Sequence, residues 1–286
     1  MIETDKITLT GVHETLFLPL LGRALETKKK QPLLIDKTAE TIVDSIAYDF
    51  TKFTKKLKGI SYAGFIARSI YFDDQIRRFI RIYPYATIVN IGCGLDTTFD
   101  RVDNGKIQWI DLDFPEVIEI RRRYISESDR VIFIAKSVFD TSWYDHIKNK
   151  DEAMFMFAGV LEYFSDQQII QLFNDITSYC PGVEIIFDYF SKIGAMIMNK
   201  YLLRRTNISC TTRFRWSLED ISDIGKINDH VSVMNNMSLF QEHKKNYPFF
   251  KRLFLNRFAR WKISSLAHIK INKEAVSSKS ERKDAG

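Results

Sequence analysis

The stretch ATIVNIGCGLDT, residues 86–97, joins an apolar, β-branched run to a glycine pair. Such a run predicts a buried strand, and Gly92-Cys93-Gly94 predicts a turn directly after it. Glycine adopts backbone angles that other residues avoid and lets a ligand approach the main chain closely. Amides at the start of the next helix then face a ligand at the carboxyl edge of the strand. The stretch therefore predicts a ligand-binding turn of an α/β fold.

Apolar runs alternate with helical patterns from residue 85 onward, which is typical of βαβ units and a parallel sheet. The predicted strands cover residues 88–91, 107–112, 131–135, 153–157, 183–187 and 266–271. Their nearly continuous apolar character suits strands that are covered on both faces. The sequence therefore predicts an α/β fold with a doubly wound, mostly parallel sheet.

Helical patterns precede the predicted sheet at residues 12–26, 38–58 and 61–83. Two further helix starts can be recognised between the predicted strands. Pro115 stands at a first helical position, and Ser165 with Gln168 has the spacing of a capping box. We predict an N-terminal helical block over residues 1–84, either a structural cap or a substrate lid. It forms one compact unit with a core over 85–272, and a frayed tail follows over 273–286.

Composition excludes several classes of protein. The chain of 286 residues is 45% hydrophobic and 27% charged with 6 prolines, which argues against disorder, collagen and a disulfide-stapled miniprotein. Cys93, Cys180 and Cys210 are far apart and form no CxxC pair, so we expect neither a disulfide framework nor a metal site. Without a secretory signal or a long apolar stretch, a cytoplasmic protein with no membrane span is expected.

The net charge of +6 is concentrated in one segment, residues 244–262, which has no acidic residue. Its basic residues are Lys244, Lys245, Lys251, Arg252, Arg257, Arg260 and Lys262. Apolar residues recur between them at helical spacing, which predicts an amphipathic helix. The preferred interpretation is a helix that covers the sheet with its basic face in solvent; an acidic partner, nucleic acid or a membrane surface is the alternative.

Asp113 follows Gly94 by 19 residues, at the end of the next predicted strand. An acidic side chain there can accept hydrogen bonds from both ribose hydroxyls of a nucleoside. Two alternatives stay open. Asp113 could only cap the helix that Pro115 begins, and Asp111, on the same face of the strand, could bind the ribose instead.

A nicotinamide-dependent dehydrogenase would use similar geometry. The dinucleotide fingerprint, however, places a third glycine where this chain has Thr97, which weakens the pyrophosphate interpretation. Asp96 adds negative charge close behind the glycines. That charge suits a ligand with a cationic amino-acid end better than it suits phosphates.

The sequence resembles the leucine carboxyl methyltransferase family, particularly its bacterial branch, which is similar to the polyketide O-methyltransferases. The resemblance runs from about residue 8 to 272. It is carried by LFLPLLGRALETK (16–28), ARSIYFDDQIR (67–77), NIGCGLDTTFDRVDNGKIQWIDLDFPEVIEIRR (90–122), SVFDTSW (137–143) and FAGVLEYFSDQQI (157–169). It implies a seven-stranded Rossmann-like sheet, S-adenosylmethionine (AdoMet) as cofactor and O-methylation of a small-molecule acceptor, with no nucleic acid.

The resemblance also implies the cofactor-binding residues, which are Arg68, Gly92, Cys93, Gly94, Asp113, Ser137, Val138 and Ala158. Asp113 matches the acidic residue that binds the ribose, and Ser137 and Val138 lie where adenine is usually contacted. Arg68 matches the arginine that holds the cofactor carboxylate, since a guanidinium pairs with a carboxylate bidentately. A surface ion pair of Arg68 with Asp73 or Asp74 is the alternative.

The chain departs from this family at two positions. Ala158 stands where many relatives have the glutamate of an EGVL motif, and Thr98 stands where they often have an arginine. Glu162, four residues later, cannot be assumed to replace that glutamate. None of the five histidines has a motif that makes it a base, so no catalytic residue is predicted. A non-catalytic AdoMet-binding protein and, less favoured, a nicotinamide-dependent oxidoreductase remain the alternatives.

Overall fold

Helices pack on both faces of a seven-stranded sheet in the computed structural model, which describes residues 12–46, 50, 60–205, 213–241 and 262–273. The strands are β1 (Thr87–Ile91), β2 (Gln108–Asp113), β3 (Val131–Ala135), β4 (Ala153–Phe157), β5 (Glu184–Phe190), β6 (Val231–Ser238) and β7 (Ser264–Ile271). The helices are α1 (Val12–Thr27), α2 (Lys37–Ser45), α3 (Ile60–Ile82), α4 (Thr98–Val102), α5 (Pro115–Arg122), α6 (Asp166–Tyr179), α7 (Lys192–Arg205) and α8 (Ile224–Ile227).

The strand order is β3-β2-β1-β4-β5-β7-β6. The first five strands in this order pair in parallel, whereas β7 runs antiparallel to both β5 and β6. The chain proceeds outward from β1 in one direction and then returns to β4 on its other side. Open α/β sheets bind ligands at such a switch point, outside the carboxyl ends of the strands.

The sheet has an apolar core on each face because neighbouring residues of a strand point to opposite sides. Ile88 and Trp109 belong to the core that includes α3 and α5. Val89 and Ile110 belong to the opposite core, which includes α6. All five residues of β1 and all five of β4 are buried, as expected for central strands covered on both faces.

The fold class predicted from the sequence is confirmed, and each predicted strand is present with small changes at its ends. The two predicted helix starts are also confirmed. Pro115 is the first residue of α5, and Ser165 and Gln168 form a capping box at the start of α6. Strand β6 was not among the strands drawn from the sequence.

Some predictions fall on residues outside the described ranges. Helix α2 covers the start of the predicted helix 38–58, and most of its remainder, 47–49 and 51–59, is not described. The amphipathic helix predicted for 244–262 is likewise outside, except for Lys262, which pairs with Asp220 at 3.0 Å. Within the described ranges, no helix combines the length and the apolar character that a membrane span needs.

Candidate functional site

The carboxyl ends of β1, β2, β4 and β5 bring together most of the predicted site residues. The turn after β1 contains Gly92, with φ of 67°, and Gly94, with φ of 48°. Both angles lie in the left-handed region that favours glycine. The amides of Gly92 and Cys93 donate to the carbonyl of Leu112 at 2.8 and 3.3 Å, which fixes the turn against β2.

Asp113 lies beside this turn, as the sequence predicted. Its Oδ2 accepts a hydrogen bond from the amide of Gly94 at 2.8 Å, and its Oδ1 accepts one from the amide of Phe114 at 2.8 Å. Each carboxylate oxygen has a second lone pair, so Asp113 can still accept from ribose hydroxyls. Burial raises the pKa of Asp113, and the amides of Gly94 and Phe114 oppose that rise. The N-cap of α5 is Phe114, without a side-chain cap.

Asp111, the alternative candidate for binding the ribose, has partners of its own in the structure. Its side chain is fully buried and accepts hydrogen bonds from the indole of Trp109 at 2.9 Å and the amide of Asn90 at 3.0 Å. It also forms an ion pair with Arg121 at 2.6 Å. The same guanidinium donates to the carbonyls of Gly94 and Asp96 at 3.0 and 2.8 Å. Asp111 therefore supports the glycine turn through Arg121, and its own carboxylate is buried and engaged.

Arg68, on α3, reaches the carboxyl edge of β4 and β5. Its Nη1 lies 2.8 Å from Oδ2 of Asp188, so the alternative of a surface ion pair with Asp73 or Asp74 is wrong. Oδ1 of Asp188 accepts from the amide of Gly159 at 2.6 Å. A Cβ added at Gly159 would lie 2.5 Å from Nη1 of Arg68. Gly159 therefore allows the guanidinium to lie directly against the loop that follows β4.

The remaining predicted residues lie at the same edge, with different degrees of exposure. Val138 is buried, and its carbonyl accepts from the indole of Trp143 at 3.0 Å. Ser137 and Ala158 are half-buried, at the ends of β3 and β4 respectively. Cys93 is buried, and burial raises the pKa of its thiol well above the usual range. The side chain of Cys93 is therefore neutral and lies in the core.

A buried ionic network joins the N-terminal helices to the glycine turn. Asp36 pairs with Arg23 at 2.8 Å and with Arg101 at 2.6 Å, and Arg101 also pairs with Asp73 at 2.9 Å. Nη2 of Arg23 donates to the carbonyl of Leu95 at 3.1 Å. The network connects α1, α3 and α4, so the N-terminal block braces the loop that carries the candidate site.

Two acidic residues at the site were missed or left without a role by the sequence reasoning. Asp188 comes directly after the strand predicted at 183–187, so its place at the carboxyl edge was the available signal. Glu162 lies in the short 3₁₀ turn Leu161–Tyr163, with a side chain that is 3% exposed. Among the described residues, its Oε2 has no hydrogen-bond partner. A buried carboxyl oxygen in this state suggests a place for a ligand donor.

These residues fit AdoMet. Asp113 offers acceptors for a ribose, Arg68 offers a guanidinium for a carboxylate, and Asp188, Glu162 and Asp96 place acidic side chains around that guanidinium. The acidic excess suits a ligand with sulfonium and ammonium charges. The part of the chain that the structure describes holds no group of three or more metal-ligating side chains.

Comparisons with known proteins define the class, the AdoMet-dependent methyltransferases, and identify the family. The sequence profile described as leucine carboxyl methyltransferase matches residues 17–177. The chain therefore belongs to the leucine carboxyl methyltransferase family, whose cofactor is AdoMet.

Two curated proteins are similar in sequence. The tetracenomycin polyketide synthesis O-methyltransferase TcmP of Streptomyces glaucescens is 33% identical over 185 residues, which cover 64% of this chain and 68% of TcmP. The S-adenosyl-L-methionine-dependent methyltransferase dpfgK of Gibberella zeae is 26% identical over 281 residues, covering 91% of this chain and 93% of dpfgK.

The fold is similar to solved structures. A putative methyltransferase from Thermobifida fusca superposes with a TM-score of 0.60 at 11% identity, covering 94% of this chain and 97% of that one. A DUF574 family protein from Streptomyces avermitilis gives a TM-score of 0.53 at 9% identity, covering 88% and 97%. At such low identity these similarities show the shared fold alone.

Proposed function

We propose that this protein is an AdoMet-dependent O-methyltransferase that methylates a carboxyl or hydroxyl group of a small molecule. The observation that carries the proposal is the pairing of two half-sites at one sheet edge. Gly94 and Asp113 form the half suited to an adenosyl group, and Arg68 with its acidic neighbours forms the half suited to an amino acid. The similarity to TcmP, named a polyketide synthesis O-methyltransferase, supports oxygen as the methylated atom.

The proposed cofactor contacts follow from this arrangement. Asp113 accepts from the ribose hydroxyls, and Arg68 pairs with the methionine carboxylate. The turn formed by Gly92, Cys93 and Gly94 passes beneath the nucleoside. The contacts proposed for the rest of the cofactor come from Ser137, Val138 and Ala158.

Bound AdoMet would supply a methyl group on a positively charged sulfur: an oxygen nucleophile would bond to the methyl carbon as the carbon–sulfur bond breaks and S-adenosylhomocysteine leaves. The main task of the protein is then to hold the acceptor oxygen about 3–3.5 Å from the methyl carbon, because alignment supplies much of the rate. A carboxyl acceptor is already ionised at neutral pH, whereas a phenol needs proton removal. No residue is assigned as a base.

Thr97 favours this function over a nicotinamide-dependent oxidoreductase. In the dinucleotide fingerprint a glycine at this place lets the helix approach the sheet closely. Here Thr97 is buried, accepts from Arg23 at 3.3 Å and donates to Asp36. Its side chain therefore belongs to the ionic network and occupies the space that the fingerprint keeps open.

The test is incubation of the purified protein with radiolabelled AdoMet and a panel of carboxylic and phenolic acceptors. Label transferred to an acceptor oxygen supports the proposal. Binding of AdoMet without transfer to any acceptor of the panel would favour the non-catalytic alternative, to which the alanine at position 158 also points. Calorimetry with NADH tests the third class, the nicotinamide-dependent oxidoreductase. Heat of binding with NADH but not with AdoMet would contradict an AdoMet site.

A further inference from the structure

The buried carboxyl group of Glu162 has no role in the contacts described so far. Its side chain is 3% exposed, and Oε2 makes no hydrogen bond to any residue that the structure describes. Leaving a buried polar group unsatisfied costs a protein stability, so such groups call for an explanation. A donor from a bound ligand would satisfy Oε2.

Glu162 lies close enough to Arg68 and Asp188 to interact with both electrostatically. Asp188 already has a donor on each oxygen, Arg68 at 2.8 Å and the amide of Gly159 at 2.6 Å. Within this group, Oε2 of Glu162 is therefore the oxygen that has no donor among the described residues. One guanidinium faces two carboxyl groups, so an additional cation would balance the charge when Glu162 is ionised.

We propose that Glu162 accepts a hydrogen bond from the α-ammonium of AdoMet while Arg68 pairs with its carboxylate. This contact rests on the cofactor assignment in the proposed function. The ammonium and the carboxylate of an amino acid are attached to the same carbon, so their partners must lie side by side. Arg68, on α3, and Glu162, on the turn after β4, are close enough for their charges to interact.

Ala158, directly after β4, has no polar side chain that could accept a hydrogen bond. Other acidic groups nearby are engaged. Asp96 accepts from the amide of Thr98 at 2.8 Å and lies 3.7 Å from Arg23. Glu162 therefore provides a carboxylate from the next turn of the same loop.

The first test compares three ligands on the Glu162→Gln variant by calorimetry. We expect the Kd of AdoMet and of S-adenosylhomocysteine to rise about 10- to 100-fold, as for the loss of a charge-assisted hydrogen bond. The third ligand, methylthioadenosine, has the adenosyl group and the sulfur but no amino acid, and its Kd should be unchanged. Glu184→Gln is the matched control: Glu184 is also buried, and it pairs with His268 at the opposite end of β5.

The outcomes separate this contact from the proposed function. Unchanged AdoMet affinity in Glu162→Gln overturns the contact and leaves the cofactor assignment standing. An equal loss for AdoMet and methylthioadenosine also overturns it, because the change then affects the nucleoside. A wild-type protein that binds neither ligand overturns the cofactor assignment, and the ammonium contact with it.

A second test uses the wild-type protein and needs no variant. Burial, and then the negative charge of Asp188, raise the pKa of Glu162 to about 8. A hydrogen bond from its own backbone amide and the positive charge of Arg68 lower the pKa, but by less. The neighbouring Tyr163 is half-buried, and partial burial raises its pKa as well, so it stays neutral. At about pH 6.5 the free Glu162 is therefore protonated, and an arriving ammonium would displace that proton.

Calorimetry in two buffers with different ionisation enthalpies measures this proton. We expect AdoMet to release close to one proton per molecule bound at about pH 6.5, and methylthioadenosine to release none. Absence of proton release with AdoMet, together with an unchanged AdoMet Kd in Glu162→Gln, would overturn the contact. Equal release with both ligands would also overturn it.

Discussion

Asp113 is the residue on which recognition of the nucleoside depends in the proposed site. Its carboxylate is fixed by the amides of Gly94 and Phe114, so it is held in position before a ribose arrives. We expect Asp113→Ala to weaken AdoMet binding by about 1–3 kcal/mol, the cost of losing hydrogen bonds to a charged group. Calorimetry measures the effect.

Glu119→Ala is the control for this prediction, because Glu119 is an exposed acidic residue on the helix that follows Asp113. Its removal should leave AdoMet binding unchanged. If Asp113→Ala binds AdoMet as tightly as the wild type, the ribose assignment is wrong.

Single residues could be predicted from the sequence where the signal is local. Gly92 and Gly94 follow β1, Asp113 is the last residue of β2, and the structure joins Gly94 to Asp113 directly. The partner of Arg68 could not be found in this way, because Asp188 is 120 residues further along the chain. The choice between Asp111 and Asp113 also needed the structure, since it depends on Arg121, which the motif does not mark as a partner.

At the scale of elements, Gly159 in the loop after β4 determines how closely the guanidinium of Arg68, on α3, can approach that loop. Gly159 has φ of 76°, and its Cβ position is 2.5 Å from Nη1 of Arg68. We expect Gly159→Ala to displace the guanidinium and to weaken AdoMet binding at least tenfold by calorimetry, because a bidentate contact requires precise alignment.

Gly105→Ala is a closely matched control for this loop. Gly105 has φ of 79°, and a Cβ there would have no atom within 4 Å. Both alanines therefore introduce similar backbone strain, of the order of 1 kcal/mol of unfolding free energy. Only Gly159→Ala should change AdoMet affinity. Equal affinities in the two variants would show that the position of Arg68 does not matter for binding.

The ionic network that joins α1, α3 and α4 has Asp36 at its centre, against two arginines. Removing one partner of a buried ion pair typically costs about 3–5 kcal/mol, because the remaining charge is left buried. We expect a loss of this size in unfolding free energy for Asp36→Ala, measured by urea denaturation. Asp44→Ala, which removes an exposed pair with Lys28, should cost less than about 1 kcal/mol.

The same aspartate predicts a pH dependence. Burial raises the pKa of Asp36, but Arg23 and Arg101 outweigh burial and hold the pKa below its usual range. A lowered pKa in the folded state stabilises the protein above about pH 4, and that contribution is lost as the pH falls through the folded value. The difference in stability between wild type and Asp36→Ala should therefore shrink in acid. A difference that stays constant down to about pH 3 would contradict this.

Strand β6 shows why one element escaped prediction. Its sequence, VSVMNNMS, has neither an apolar run nor clean alternation. It lies at the edge of the described sheet, where it pairs with β7, and its register is irregular between Val233 and Asn235. An edge strand with an exposed face does not need the apolar character that identified the central strands. Its place in the sheet depends on pairing with β7, which the local pattern does not contain.

At the scale of the whole molecule, the site joins distant parts of the chain. Arg68 comes from the N-terminal helices, Gly94 and Asp113 from the first half of the sheet, and Glu162 and Asp188 from the second. The strand order explains their meeting, because β1 and β4 are neighbours where the direction of the chain reverses. Ligand binding should therefore stabilise the folded chain as a unit.

That stabilisation can be estimated from mass action. A ligand at 100 times its Kd adds about 2.7 kcal/mol to the unfolding free energy when it binds only the folded state. One kcal/mol raises Tm by about 2–4 °C for chains of 150–250 residues, and somewhat less for longer ones. AdoMet and S-adenosylhomocysteine should therefore raise Tm by roughly 5 °C at such concentrations, whereas NADH should not. Asp113→Ala at the same AdoMet concentration should show a smaller rise, and an equal rise with NADH would contradict the assigned class of cofactor.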